Sequence, residues 1–169
     1  VLGGSQWLGD YVIAYPARAV SIWEDPGQSR QVLLASVGAT RAEGGAYVAA
    51  EGASADDLRA AYRRVLLSVA ADDLTSEDPE ALMPEVGRRI ADLVDATLEA
   101  GLALARRDID PQGQTPFAII AMGKTGAREL NYISDVDVVY VAQAGLDQDE
   151  RVALEVATRL AAATASACS

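Results

Sequence analysis

"MGKTGARELNYISDVDVVYVA", residues 122–142, carries two aspartates, Asp135 and Asp137, within an apolar run that reads as a strand. Side chains alternate faces along a strand, so Asp135 and Asp137 share one side while Val136, Val138 and Tyr140 share the other. Two like charges held close raise each other's pKa unless a cation lies between them, and burying them unpaired is costly. Mg²⁺ or Mn²⁺ satisfies such a pair, because both ions prefer carboxylate oxygens and keep positions open for phosphate and water. Acids at an exposed strand end can also be merely solvated, and a D-x-D spacing alone does not separate the two readings.

The residues just before the acids add a second element. "FAIIAM", residues 117–122, is a short continuous apolar run and reads as a buried strand. "GKTGAREL", residues 123–130, reads as a glycine-flanked turn entering a short helix. "GKT" has the wording of a Walker A loop, but that motif needs glycine where Ala118 stands, which excludes a P-loop. Strand, glycine turn, short helix and acid-bearing strand form a different unit. The turn's backbone N–H groups and the helix N-terminus make an anion site facing a metal pair. Gly123 and Gly126 equally suit plain turn geometry.

Upstream the pattern is helical. Ser5 can cap a helix through "QWLGDYVIAY" that Pro16 ends, and a weaker helix covers "SRQVLLASVG". "TRAEGGAYVAAEGAS" reads as a loop. Ser54 and Asp57 open the next helix with a capping-box pattern. Leu58, Ala61, Tyr62, Val65, Leu66 and Val69 then follow at the spacing of one buried face. Arg59, Arg63 and Arg64 fall mostly on its solvated side. A long helix, "PEVGRRIADLVDATLEAGLALARR", places Val86, Ile90, Leu93, Val94 and Leu98 on a common face. "DIDPQGQTP" is a linker, and a last helix runs from Asp147 with acids in its first turn. This divides the chain into a helical region, 1–110, and a strand-bearing region, 111–169. The expected fold class is α+β, mostly helical.

Composition narrows the chemistry. The 169 residues are 50% hydrophobic, enough for a sizeable core, and carry a formal net charge of −11, which argues against nucleic acid or an anionic membrane as partner. The single cysteine, Cys168, forms no disulfide framework and suits a reducing cytoplasm. No apolar run reaches membrane-spanning length, and the N-terminus lacks a signal peptide's basic start. The absence of histidine removes Ser-His and Cys-His nucleophiles and most zinc sites. Carboxylates, Lys, Arg, hydroxyls and oxygen-bound hard cations remain. With no initiator Met and an end inside an apparent helix, the chain reads as a piece of something longer.

"AIIAMGKTGARELNYISDVDVVYV" resembles the nucleotidyltransferase signature of the glutamine synthetase adenylyltransferase/adenylyl-removing family, within the polymerase-β-like superfamily. The match is dense over the last third of the chain. It is looser upstream, where "LGGSQWLGDYVIAYP" is similar to the family's opening helix and "LRAAYRRVLLSVAADDLT" to the helical segment ahead of the catalytic domain. Thr125 and Ala127 stand where the family often has other residues.

The resemblance implies an activity and a site. Family members carry two nucleotidyltransferase domains: one transfers AMP from ATP to a tyrosine of glutamine synthetase, and the other removes it by phosphorolysis, giving ADP. "ELNYISDVD" is similar to the N-terminal, adenylyl-removing copy. Asp135 and Asp137 would then be the catalytic acids and metal ligands for Mg²⁺ or Mn²⁺. Gly123, Lys124, Gly126 and Ser134 would bind phosphate or nucleotide, although Ser134 also suits a strand-start cap and Lys124 a solvent-facing turn. Arg128 and Glu129 are expected to pair with each other or with neighbours. Partners would be glutamine synthetase, ATP, ADP and phosphate, with a PII-type signalling protein acting on the full-length enzyme. A third metal carboxylate would lie on a later strand, so residues 1–169 alone are expected to be inactive. Two other readings stay open: a small-molecule nucleotidyltransferase, and a helical regulatory module with a vestigial nucleotide site.

Overall fold

A computed structural model describes residues 6–14, 16, 27–145 and 149–169. In chain order the elements are α1 (Gln6–Ala14), α2 (Ser29–Ser36), β1 (Thr40–Arg41), β2 (Tyr47–Val48), α3 (Ala55–Thr75), α4 (Pro79–Ile109), β3 (Phe117–Ala121), α5 (Gly123–Ala127), β4 (Val138–Ala142) and α6 (Glu150–Cys168). The fold is α+β and mostly helical. The Ser5 cap and the Asp147 helix start lie outside the described residues.

Local chemistry explains where the long helices start. Ser54 accepts the Asp57 amide while the Asp57 carboxylate takes the Ser54 amide, so the capping box that opens α3 is complete. Helix α4 begins at Pro79 rather than Pro84. Asp78 accepts the Ala81 amide at 3.1 Å, and Pro79 sits where a missing N–H costs nothing. Pro84 is carried inside the helix. Asp149 caps α6, accepting from the amides of Arg151 and Val152.

The core is built around α4, against which α2, α3 and α6 pack. Leu33, Leu34 and Val37 from α2 and its end meet Leu58, Val65, Leu66 and Val69 of α3 and Val86, Ile90, Leu93 and Val94 of α4. The second half of α3 is buried beyond the expected stripe. Leu67, Ala70 and Ala71 pack with Tyr11 of α1, which covers that other side. The stretch read as a loop contains a small antiparallel pairing, Thr40 with Val48 and Arg41 with Tyr47.

Strands β3 and β4 pair antiparallel with Ile119 opposite Tyr140 and Ala121 opposite Val138. Residues opposite one another share a face. Phe117, Ile119, Ala121, Val138 and Tyr140 form a half-buried inner face, with the Phe117 and Tyr140 ring centroids 5.8 Å apart. The outer face is open: Ile120, Val139 and Val141 are 46%, 48% and 49% exposed. "FAIIAM" is therefore a one-sided strand, not a buried one. An unbroken apolar run cannot by itself report which side is covered.

The predicted linker is an anchored turn. Asp110 accepts the amides of Gln114 and Thr115 and pairs with Arg106, whose other nitrogen donates to the Thr115 carbonyl. Arg106 and Asp110 are both buried, and this knot fixes where β3 leaves the end of α4.

Candidate functional site

The glycine turn and the acids meet at one end of the β3–β4 ladder. Ladder pairing ends at Ala121 with Val138, so Asp135 and Asp137 lie in the extended approach to β4 and not within the strand as expected. This releases them from pleat geometry, and both are exposed. The Met122 amide donates to the Asp137 carbonyl at 2.9 Å, which ties the approach to the turn.

Each glycine of "GKTG" has a steric reason. Gly123 has a φ of +51°, and a Cβ there would stand 3.3 Å from Oδ2 of Asp137. The Asp137 carboxylate thus lies against the open face of the turn. A Cβ on Gly126 would fall 2.6 Å from the Ala121 carbonyl oxygen, so only glycine lets α5 fold back so tightly on β3. Helix α5 ends in a Schellman arrangement: the Glu129 amide reaches the Lys124 carbonyl and the Arg128 amide the Thr125 carbonyl. Arg128 holds the left-handed position at φ +61°. It is the non-glycine with positive φ among the described residues.

Other predicted site residues are placed less directly. Lys124 is exposed on the turn. Ser134 lies in a self-closed turn, its hydroxyl accepting the Asn131 amide at 3.1 Å and donating to Asn131 Oδ1 at 2.9 Å. These bonds close a turn and do not cap the strand, which starts at Val138. Of the two pairings expected for Arg128, with Glu129 or with a neighbour, the neighbour is the one formed. Arg128 forms its ion pair with Asp92 of α4. Tyr132, given no role from sequence, donates its hydroxyl to Asp73 of α3 at 2.9 Å. A signal that could have found it is Asp72–Asp73 near the C-terminal end of a helix, where the dipole disfavours acids.

The donor set fits a hard divalent cation. Two exposed carboxylates supply only oxygen, and the missing Cβ of Gly123 leaves a cradle beside Asp137 for an ion or a phosphate oxygen. Among the described residues no group of three or more His, Cys, Asp or Glu side chains is close enough to hold a metal. A cavity of about 770 Å³, lined by Gly44, Arg106, Thr115 and Phe117 among others, lies at the opposite end of the ladder.

A family model described as glutamate-ammonia ligase adenylyltransferase matches residues 1–168. The chain belongs to the glutamate-ammonia ligase adenylyltransferase family. Relatives named bifunctional glutamine synthetase adenylyltransferase/adenylyl-removing enzyme include one from Cutibacterium acnes, 43% identical over 100% of this chain and 18% of its own. One from Bifidobacterium longum subsp. infantis is 39% identical over 95% of this chain and 16% of its own, and one from Leifsonia xyli subsp. xyli 38% over 97% and 18%. The chain spans less than a fifth of the length of these relatives. No solved structure matches it. Among the described residues, no helix is long and apolar enough to cross a membrane.

Proposed function

We propose that residues 111–169 begin the adenylyl-removing nucleotidyltransferase domain of a bifunctional enzyme acting on glutamine synthetase, with residues 1–110 as its helical lead-in. The observation that carries this reading is the Asp137 carboxylate set against the open face of Gly123. That contact brings an acid and an anion-binding turn to one point, as phosphoryl chemistry requires.

In this reading Asp135 and Asp137 hold Mg²⁺ or Mn²⁺. The ion, when bound, neutralises charge on the phosphate oxygens. Amides at the start of α5, lacking partners within the helix, orient inorganic phosphate beside the acids. Lys124 offsets charge on the same phosphate, and Ser134 keeps the Asn131–Ser134 turn closed with one oxygen lone pair left to accept from a water that bridges to the phosphate. A phosphate oxygen then attacks the phosphorus of the adenylyl-tyrosine ester in line. The new P–O bond gives ADP, and the bond to the tyrosyl oxygen breaks, leaving a phenolate that takes up a proton. The names of the relatives support glutamine synthetase as the protein substrate and AMP as the group transferred. ATP belongs to the opposing reaction in the other domain, a PII-type protein is the regulatory partner, and the cytoplasm is the compartment.

The activity test uses the full-length enzyme. Asp135→Asn should abolish phosphate-dependent release of ADP from adenylylated glutamine synthetase and leave ATP-dependent adenylylation intact. Loss of adenylylation alone would move these residues to the other copy. Mn²⁺ titration of residues 1–169 should show weak binding that vanishes in Asp135→Asn/Asp137→Asn, and an unchanged titration would remove the metal from the reading.

A further inference from the structure

The segment joining the glycine turn to the acids, residues 128–134, is held by the helical region at several places. Arg128 pairs with Asp92 of α4. Leu130 is 4% exposed and joins the main core. Gly87 of α4 seats the backbone: a Cβ there would stand 3.3 Å from the Leu130 carbonyl oxygen and 3.5 Å from that of Arg128. Tyr132 reaches Asp73 of α3, and the neighbouring Asp72 is held by Arg89 of α4 at 2.7 Å. These acids sit near the C-terminal end of α3, where the helix dipole opposes them, so local helix stability does not explain them. Burial first and then Asp73 push the Tyr132 hydroxyl's pKa upward.

Tyr132 sits inside the closed Asn131–Ser134 turn. The Ile133 amide and the Ser134 hydroxyl both donate to Asn131 Oδ1, and the Ser134 amide to the Asn131 carbonyl. A turn cross-braced this way moves as a unit, and Asp135 is the next residue. On the far side, Asp137 is tied to Met122. The acids are therefore suspended between the sheet and α3.

We propose that the Tyr132–Asp73 hydrogen bond is a positioning contact through which α3 sets the place of Asp135 relative to Gly123, with Arg128–Asp92 serving the same end from α4. This rests on the reading of Asp135 as a metal-holding catalytic acid. The helical region is then part of the reaction's geometry, not only its attachment, since small displacements of a reacting group cost up to roughly a hundredfold in rate.

The experiment measures phosphate-dependent ADP release by the full-length enzyme, the Mn²⁺ concentration for half-activation, and Tm. Tyr132→Phe and Asp73→Leu should each lower kcat about tenfold to a hundredfold and raise half-activating Mn²⁺, with KM for adenylylated glutamine synthetase unchanged. The double variant should fall no further than the single ones. Asp73→Asn keeps an acceptor oxygen and should recover most of the rate. A lower Tm with unchanged kcat and Mn²⁺ dependence would make the contact structural only and overturn the proposal. So would a defect in Asp73→Asn as deep as in Asp73→Leu. An inactive Asp135→Asn beside an unaffected Tyr132→Phe defeats the positioning role alone. An active Asp135→Asn defeats the reading of the site beneath it.

Discussion

The Met122 amide and the Asp137 carbonyl, 2.9 Å apart, close the β3–β4 ladder at the point where the glycine turn opens. The bond fixes the Asp137 backbone, and the absent side chain of Gly123 gives the carboxylate its room. Gly123→Ala should therefore fail twice. An L-residue at φ +51° is strained by about 1–2 kcal/mol, and the new methyl presses on Asp137. Urea unfolding should show that loss of stability, and Mn²⁺ titration a weaker ion. Full retention of Mn²⁺ binding in a folded Gly123→Ala protein would separate the turn from the acids.

Asp110 offers a second test, remote from the acids. It satisfies two amides and a guanidinium that is itself 4% exposed. Removing it as Asp110→Ala leaves the buried Arg106 guanidinium without its counter-charge and takes the shared acceptor from the Gln114 and Thr115 amides. The expected loss is about 3–5 kcal/mol by urea unfolding. Arg106→Met should cost less, because Asp110 keeps its two amides. An equal or larger loss in Arg106→Met would show that the guanidinium, not the carboxylate, organises the turn.

Much of this was legible in the sequence where local and long-range signals agree. Ser54 and Asp57 mark the start of α3, and Val65, Leu66 and Val69 its buried face, because capping and helical period act within one turn. Leu67, Ala70 and Ala71 escaped the stripe because their cover, Tyr11, comes from another element. The Thr40–Val48 pairing escaped because strands of two residues have no period to detect. At the site, Asp135, Asp137 and the glycines were visible as a motif. Their position ahead of the ladder was not, since the register of a short apolar run depends on its partner. Asp110 looked like linker because two of its partners are amides, which carry no sequence signature, and the Arg106 four residues earlier reads equally well as an exposed helix-end charge.

Gly101 of α4 leaves room for α6. A Cβ there would stand 2.6 Å from the Cys168 sulfur. Gly101→Ala should destabilise the chain by about 1–3 kcal/mol, the cost of overpacking, by tilting α6 away or turning the sulfur from its contact with the Thr97 carbonyl. Adding Cys168→Ala should return most of that loss. Failure of the second change to recover stability would place the clash on the α6 backbone instead.

Cys168 also carries a pH signature. Burial pushes its thiol from an ordinary 9.0 up to about 11, with the nearby Arg59 charge pulling the other way. Only the thiolate reacts, so at pH 8 the folded protein should be modified by a disulfide reagent about a hundredfold more slowly than an unfolded chain. The sign for stability follows from the same shift. The folded state holds the proton more tightly than the unfolded one, so this contribution is complete below pH 9 and is lost as the pH rises from 9 toward 11. Tm should decline across that window, and Cys168→Ala should flatten the decline relative to the parent. Fast modification at pH 8 in a chain shown to be folded would mean that α6 frays at its end and leaves the sulfur in water.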